Sequence, residues 1–306
     1  MNFVHGLLDT TVTVAIPLAL AACGGLMAER AGVFNIGLEG MMLVGAFVGV
    51  VASYYTHSAW PGIVAAPLAG AALGALLGGL CVSLRGDQIV VGIMLNILAL
   101  GLTSLLFRAI FGLQGQSGTV AALHPIRIPG LADIPYLGQA LFDQDAIAYL
   151  AYLIVIGLTV FLFRTPGGMR WRSAGDAPSA LEAAGVSVVR MRYMAVLVSG
   201  ALAGLAGAHL TLGETPFFSD GMTNGRGFIA LGAVIVGRWN PVGALLAALL
   251  FGVAQATQLQ LQASGVDVPY QLLGMLPYVL TIAVLAGAAG RSHAPRFVGR
   301  PYIKGE

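Results

Sequence analysis

Residues 164–192 read RTPGGMRWRSAGDAPSALEAAGVSVVRMR, a polar stretch in a chain that is otherwise oily. It holds Arg164, Arg170, Arg172, Arg190 and Arg192, five of the fourteen arginines. A short helix signal lies inside it: Asp176 can cap it, Pro178 suits its first turn and Gly185 can end it. Seven residues from Pro178 to Ala184 span ~10 Å at the α-helical rise. A lone helix of that length is unstable in water. It therefore needs a support, either its own membrane domain or a partner. Two readings stand at this point: an ordinary cytoplasmic loop, or a docking element that carries force into the membrane.

The composition around this stretch is that of an integral membrane protein. Of the 306 residues, 58% are hydrophobic and 9% charged, against about 25% charged in a soluble domain. The 43 glycines suit helices packed through small side chains. A net charge of +2 gives no sign of nucleic-acid binding. Cys23 and Cys81 both sit in apolar runs, which points to buried small residues rather than to a disulfide or metal framework. The first apolar run, 10–28, is too long for a signal-peptide core and fits a spanning helix.

Uncharged runs long enough to cross occur at 10–28, 62–84, 88–107, 146–163, 193–213, 240–263 and 268–290. The run 36–56 joins them with Glu39 inside it, which makes eight spans. The run 227–237 is too short for a ~30 Å core and reads as half of a broken helix or a re-entrant segment. The expected fold is an all-α polytopic bundle of about eight to ten transmembrane helices, one membrane domain over 1–306. It has a cytoplasmic loop 164–192, an outer loop 108–145 and a cytoplasmic tail 291–306. With 164–192 inside, twelve of the fifteen basic residues fall in the cytoplasm, as the positive-inside tendency requires. Only Arg108, Arg127 and Arg226 are then left outside, and the N-terminus is external if 227–237 counts as a crossing. The outer loop, with Pro125, Pro129 and Pro135, is either a plain connection or a docking surface.

An internal echo joins Gly40, Gly45, Ala46 and Gly49 to Gly227, Gly232, Ala233 and Gly237, each set followed by a proline-led span. If the first runs outward and the second inward, the halves are inverted repeats. Such repeats place a transport path at their pseudo-twofold axis.

Catalytic chemistry is not visible. A phosphate-binding loop needs Gly-Lys-Ser/Thr, yet the one lysine, Lys304, is followed by Gly305. The five histidines show no metal-ligand spacing, and His209 reads as a packed residue. The polar residues within spans are few. Glu39 is the charged one, and an intramembrane carboxylate points to function. It also has a structural reading, a bond to Asn35 or to neighbouring amides at a helix start near the cytoplasmic end. Asn96 sits in mid-span. Gln255, Gln258 and Gln262 share one helix face, which suits either a hydrated path or helix–helix hydrogen bonds.

The stretch Glu29–Arg30–Ala31–Gly32–Val33–Phe34–Asn35–Ile36–Gly37–Leu38–Glu39–Gly40–Met41–Met42–Leu43 resembles the signature of ABC-importer permeases for nucleosides and simple sugars, the ribose-permease superfamily, and is closest to the nucleoside branch. Residues 180–186, 199–208 and 227–241 agree with that family's coupling loop, following span and late glycine-rich segment. The resemblance implies a non-enzymatic membrane subunit in the bacterial cytoplasmic membrane. It also implies a separate cytoplasmic ATPase that binds ATP and Mg, a second and often unlike permease, and an extracytoplasmic binding protein. The family's coupling helix maps onto Asp176–Gly185, with Pro178, Leu181, Glu182 and Ala184 between. Asn35, Glu39, Asn96, Gln255, Gln258 and Gln262 become candidates for path or gate. Nucleosides are the expected substrate and simple sugars the alternative. A secondary transporter with Glu39 as proton carrier is a further reading.

Overall fold

The computed structural model describes residues 3–112, 117–135, 137–263, 274–275, 279–280, 282–283, 286–287 and 294–303. Most of the expected span 268–290, and the ends of the tail 291–306, lie outside the described residues. The helices are α1 (Phe3–Arg30), α2 (Leu38–Thr56), α3 (Ala59–Gly78), α4 (Gln88–Phe111), α5 (Leu137–Phe142), α6 (Ala146–Arg164), α7 (Pro166–Asp176), α8 (Pro178–Ala183), α9 (Val188–Ala208), α10 (Arg226–Val236) and α11 (Pro241–Ala263). Looser π-helical turns extend α3 to Ser83 and α9 to Glu214. Seven of these helices are long and apolar enough to cross a membrane, against the eight uncharged runs, because the eighth is 268–290.

Polar side chains at the helix starts fix where the spans begin. Asp87 Oδ1 accepts the amides of Ile89 and Val90 at α4, and Asp145 Oδ1 those of Ile147 and Ala148 at α6. Each satisfies amides that a helix start leaves without partners. Helix α9 is the hub. A Cβ on Gly45 of α2, or on Gly70 or Gly74 of α3, would fall onto the α9 backbone at Gly204, Gly200 and Val196. Glycine is what lets these three helices approach, and the largest side chains of the core close around them.

Two boundaries differ from the sequence reading. Helix α9 starts at Val188, so Arg190 and Arg192 belong to its first turns and not to the loop; Ser187 Oγ accepts the Arg190 amide there. The loop also holds two helices rather than one. Asp176 is the last residue of α7, not a cap for the next helix, and Ala177 precedes α8 without any side-chain cap. Helix α7 went unread because it is polar and glycine-rich, and Thr165 caps it by accepting the Gly168 amide.

One end of the bundle gathers the ends of α1, α3, α6, α7 and α10 and the starts of α4 and α9. Phe34 N–H donates to Gln88, Arg30 Nε to the Trp239 carbonyl, and Ser83 and Tyr193 share a hydroxyl contact. The tail returns to this end, where Phe297 N–H donates to the Gly175 carbonyl and Arg192 Nη1 to the Arg300 carbonyl. At the other end Ile126–Arg127 (β1) pairs antiparallel with Asp143–Gln144 (β2). These four residues are the only strands among those described, and the fold is all-α otherwise.

Candidate functional site

Two crossings are broken. After α1 the chain runs irregularly through residues 31–37 before α2 begins, and Gly40 of α2 stands beside Asn96, the ninth residue of the 24-residue α4. Helix α2 therefore starts about a third of the way across. The second break follows α9. From Thr215 the chain descends without helix along α4: Asp220 accepts from Ser104 Oγ, and Gly221 sits against Leu100. It turns helical only at Arg226, and α10 carries it to Trp239, beside the end of α1. The short run 227–237 is thus the inner half of a full crossing, with an irregular outer half. The two broken crossings run in opposite directions, as the glycine echo requires of inverted halves.

The signature residues grip α10 at both ends. At its N-terminus, Glu39 Oε1 accepts the Gly225 amide at 2.8 Å and Oε2 the Gly227 amide at 2.7 Å. At its C-terminus, Trp239 Nε1 donates to Glu29 Oε2 at 2.5 Å, and Arg30 Nε donates to the Trp239 carbonyl at 2.8 Å. Glu39 satisfies neither Asn35 nor the amides of its own helix start. It reaches a helix that lies 186 residues away in sequence, at the level of Asn96 on α4. Distance in sequence kept this partner from view, although the short run 227–237 did mark where a free helix start had to be.

Glu39 and Asn96 line one cavity of about 270 Å³ with Gly40, Leu43, Ile97, Leu100, Gly221, Thr223 and Asn224. Asn96 is fully engaged there: Oδ1 accepts the Gly40 amide and Nδ2 donates to the Ile36 carbonyl. The irregular backbone of 221–225 lies at this depth. In a bilayer such backbone is tolerated where it is packed in protein or lines water. The other candidates go elsewhere. Asn35 is wholly buried and donates to Ser199 Oγ and Met41 Sδ, tying the irregular segment 31–37 to α9. Gln255, Gln258 and Gln262 stand on α11, which packs on α1, α10 and α6, and none lines the cavity.

A charged chain behind α10 was not foreseen. His209 is completely buried, its Nε2 3.1 Å from Asp145 Oδ2 and its Nδ1 3.8 Å from Glu214 Oε1. Glu214 Oε2 then meets Arg226 Nη1 at 3.1 Å. Burial acts to raise the Asp145 pKa, but the His209 imidazole and the two capping amides outweigh it and hold the carboxyl below its ordinary value. Arg226, expected outside, is instead the first residue of α10. Arg127 does lie in the outer segment, paired with Asp133. Among the described residues no cluster of His, Cys, Asp or Glu could hold a metal ion.

The helix pair α7–α8 is wired to the same signature. Trp171 Nε1 donates to the Met27 carbonyl at 2.9 Å. A Cβ on Gly175 would meet the Arg30 carbonyl and the Gly32 amide, and the Arg30 and Arg172 guanidinium groups both lie on the Phe163 ring. In α8, Pro178 and Leu181 are buried, while Ser179, Ala180 and Ala183 are exposed, as are Asp176 at the end of α7 and Ala184 and Gly185 just after α8. Gly185 ends α8 at φ +80, and Glu182 accepts the Val188 amide and so braces the start of α9.

Such a bundle, with broken crossings meeting at mid-depth and a helical pair hung below, defines a multi-pass membrane permease. Residues 7–285 match the family described as "Branched-chain amino acid transport system / permease component", and the chain belongs to it. It is the permease component of an ABC transporter and not itself catalytic, working with a separate ATPase and a binding protein. It is similar to the guanosine ABC transporter permease protein NupQ of Bacillus subtilis, 38% identical over 98% of this chain and 97% of the relative. It is also similar to the putative glucose ABC transporter permease protein TsgC13 of Haloferax volcanii, 38% identical over 97% and 95%. Among solved structures, an inward-facing putative metal-chelate type ABC transporter shares the fold with TM-score 0.51 at 17% identity, covering 92% of this chain and 85% of that one.

Proposed function

We propose that the chain forms the translocation path of an importer for nucleosides, with α10 as the inner gate and α7–α8 as the lever that moves it. Support for the gate comes from one observation: both signature glutamates bond to α10, one at each end. Support for the lever is that α7 bonds the carbonyl of Met27 and packs Gly175 against Arg30, on the segment that grips Trp239. The exposed alanines of α8 let a partner's groove approach its backbone, so Asp176, Ala184 and Gly185 face the ATPase, while buried Pro178 and Leu181 seat α8 on the bundle and Glu182 braces α9. The exposed apolar residues of α3, α4 and α6, such as Leu68, Leu105 and Leu153, are covered in part by lipid and in part by a second permease. The location is a bacterial cytoplasmic membrane. A proton-coupled transporter is excluded by the family.

Nucleosides are preferred because the signature and a guanosine permease among the relatives agree. A simple sugar is the second reading, favoured by the glucose permease at equal identity. Uptake of labelled nucleoside by proteoliposomes holding this permease, its ATPase and its binding protein tests the assignment. ATP-dependent nucleoside uptake unaffected by excess glucose is the expected result; glucose uptake without nucleoside uptake contradicts it. Ala184→Arg, well expressed in the membrane, should lose ATPase association, and normal association contradicts the lever.

A further inference from the structure

We infer that Asn224 is the side chain with which the mid-membrane cavity reads its passenger. The inference rests on the importer reading above and adds to it a residue.

Three observations carry it. First, the other polar side chains of the cavity are already committed. Each Glu39 oxygen takes an α10-end amide, both ends of the Asn96 amide are engaged, and Thr223 is 1% exposed. Asn224 is exposed, lines the cavity, and among the described residues its carboxamide has no hydrogen-bond partner. Second, the backbone displays it. Asn224 sits at φ 45 between Gly221 and Gly225, a left-handed conformation that Asn tolerates better than most residues. Third, Leu43, Ile97 and Leu100 make up the apolar side of the cavity, so a polar solute entering it loses hydration and needs a polar partner there. Such a solute meets a carboxamide that both accepts and donates, which matches the edge of a base or a pair of sugar hydroxyls.

The test uses the complete complex in proteoliposomes with the binding protein saturated, so that the receptor's preference is common to all permease variants. Uptake per ATP hydrolysed is measured for a labelled nucleoside and for glucose. Asn224→Gly keeps the left-handed backbone and removes only the amide; it should lower uptake per ATP about fivefold, the scale of one neutral hydrogen bond. Asn224→Asp adds a charge and should lower it further. A native ratio in N224G, or an equal fall of uptake and hydrolysis, overturns the role of Asn224. Uptake of glucose in place of the nucleoside, lowered likewise in N224G, sinks the nucleoside assignment but supports this inference.

Discussion

Residues 31–56 and residues 215–236 each cross as an irregular segment followed by a helix, and they are held differently. Helix α2 is locked into the bundle by backbone packing, with Gly45 against Gly204 and Gly40 against α4. Helix α10 packs too, with Gly227 against the Glu39 backbone, but it is also held by side-chain hydrogen bonds at its two ends: Glu39 at one, Glu29 and Arg30 at the other. Packing through glycine backbones has no second arrangement nearby, because interiors are dense and resist deformation. A few end-on hydrogen bonds can be broken and remade. On the proposed function, α2 is the frame and α10 the moving part.

The largest effect should come from breaking the frame. Gly45→Leu places a side chain in the α9 backbone, where overpacking costs about 1–3 kcal/mol or more; loss of folded protein from the membrane fraction is expected, and normal levels contradict the packing. Next is the outer pin. Glu39→Ala strips two charge-assisted bonds, about 3–6 kcal/mol together, and should cut uptake by tenfold or more while the protein stays in the membrane. Glu39→Gln, which keeps an acceptor, should fall between. The inner pin is weaker: Trp239→Phe removes one donor from Glu29 and costs about 1–3 kcal/mol, read as a lower melting temperature and a raised ATPase rate without cargo.

The smallest effect sharpens the comparison from behind α10. The Asp145 carboxyl is held below its ordinary value. Its contribution to stability is therefore complete above that ordinary value, near ~4, and is lost as pH falls through the lower folded value. Melting curves of the native protein from pH 6 to 3 should show an acid loss that Asp145→Asn lacks. Equal acid loss in both contradicts the Asp145–His209 pairing.

The spans were legible because apolar runs declare themselves, and most boundaries moved by only a few residues. Pro178 and Gly185 frame α8 as their backbone preferences dictate. What stayed hidden was long-range or polar. The partner of Glu39 lies 186 residues onward, helix α7 lacks an apolar stripe, and Arg192 sits buried beneath a returning tail. Asp176 misled because Asp caps helix starts so often, while here α7 simply ends on it. His209 did prove packed, but into a charged chain that spacing could not show.

The central claim is that α10 moves while α2 does not. Spin labels at Phe228 on α10 and Leu98 on α4, both exposed, report the first, and a pair at Tyr55 on α2 and Leu105 on α4 reports the second. In the reconstituted complex, trapping the ATPase with ATP should change the Phe228–Leu98 distance and leave the Tyr55–Leu105 distance constant. A Phe228–Leu98 distance that stays fixed through the cycle contradicts the account.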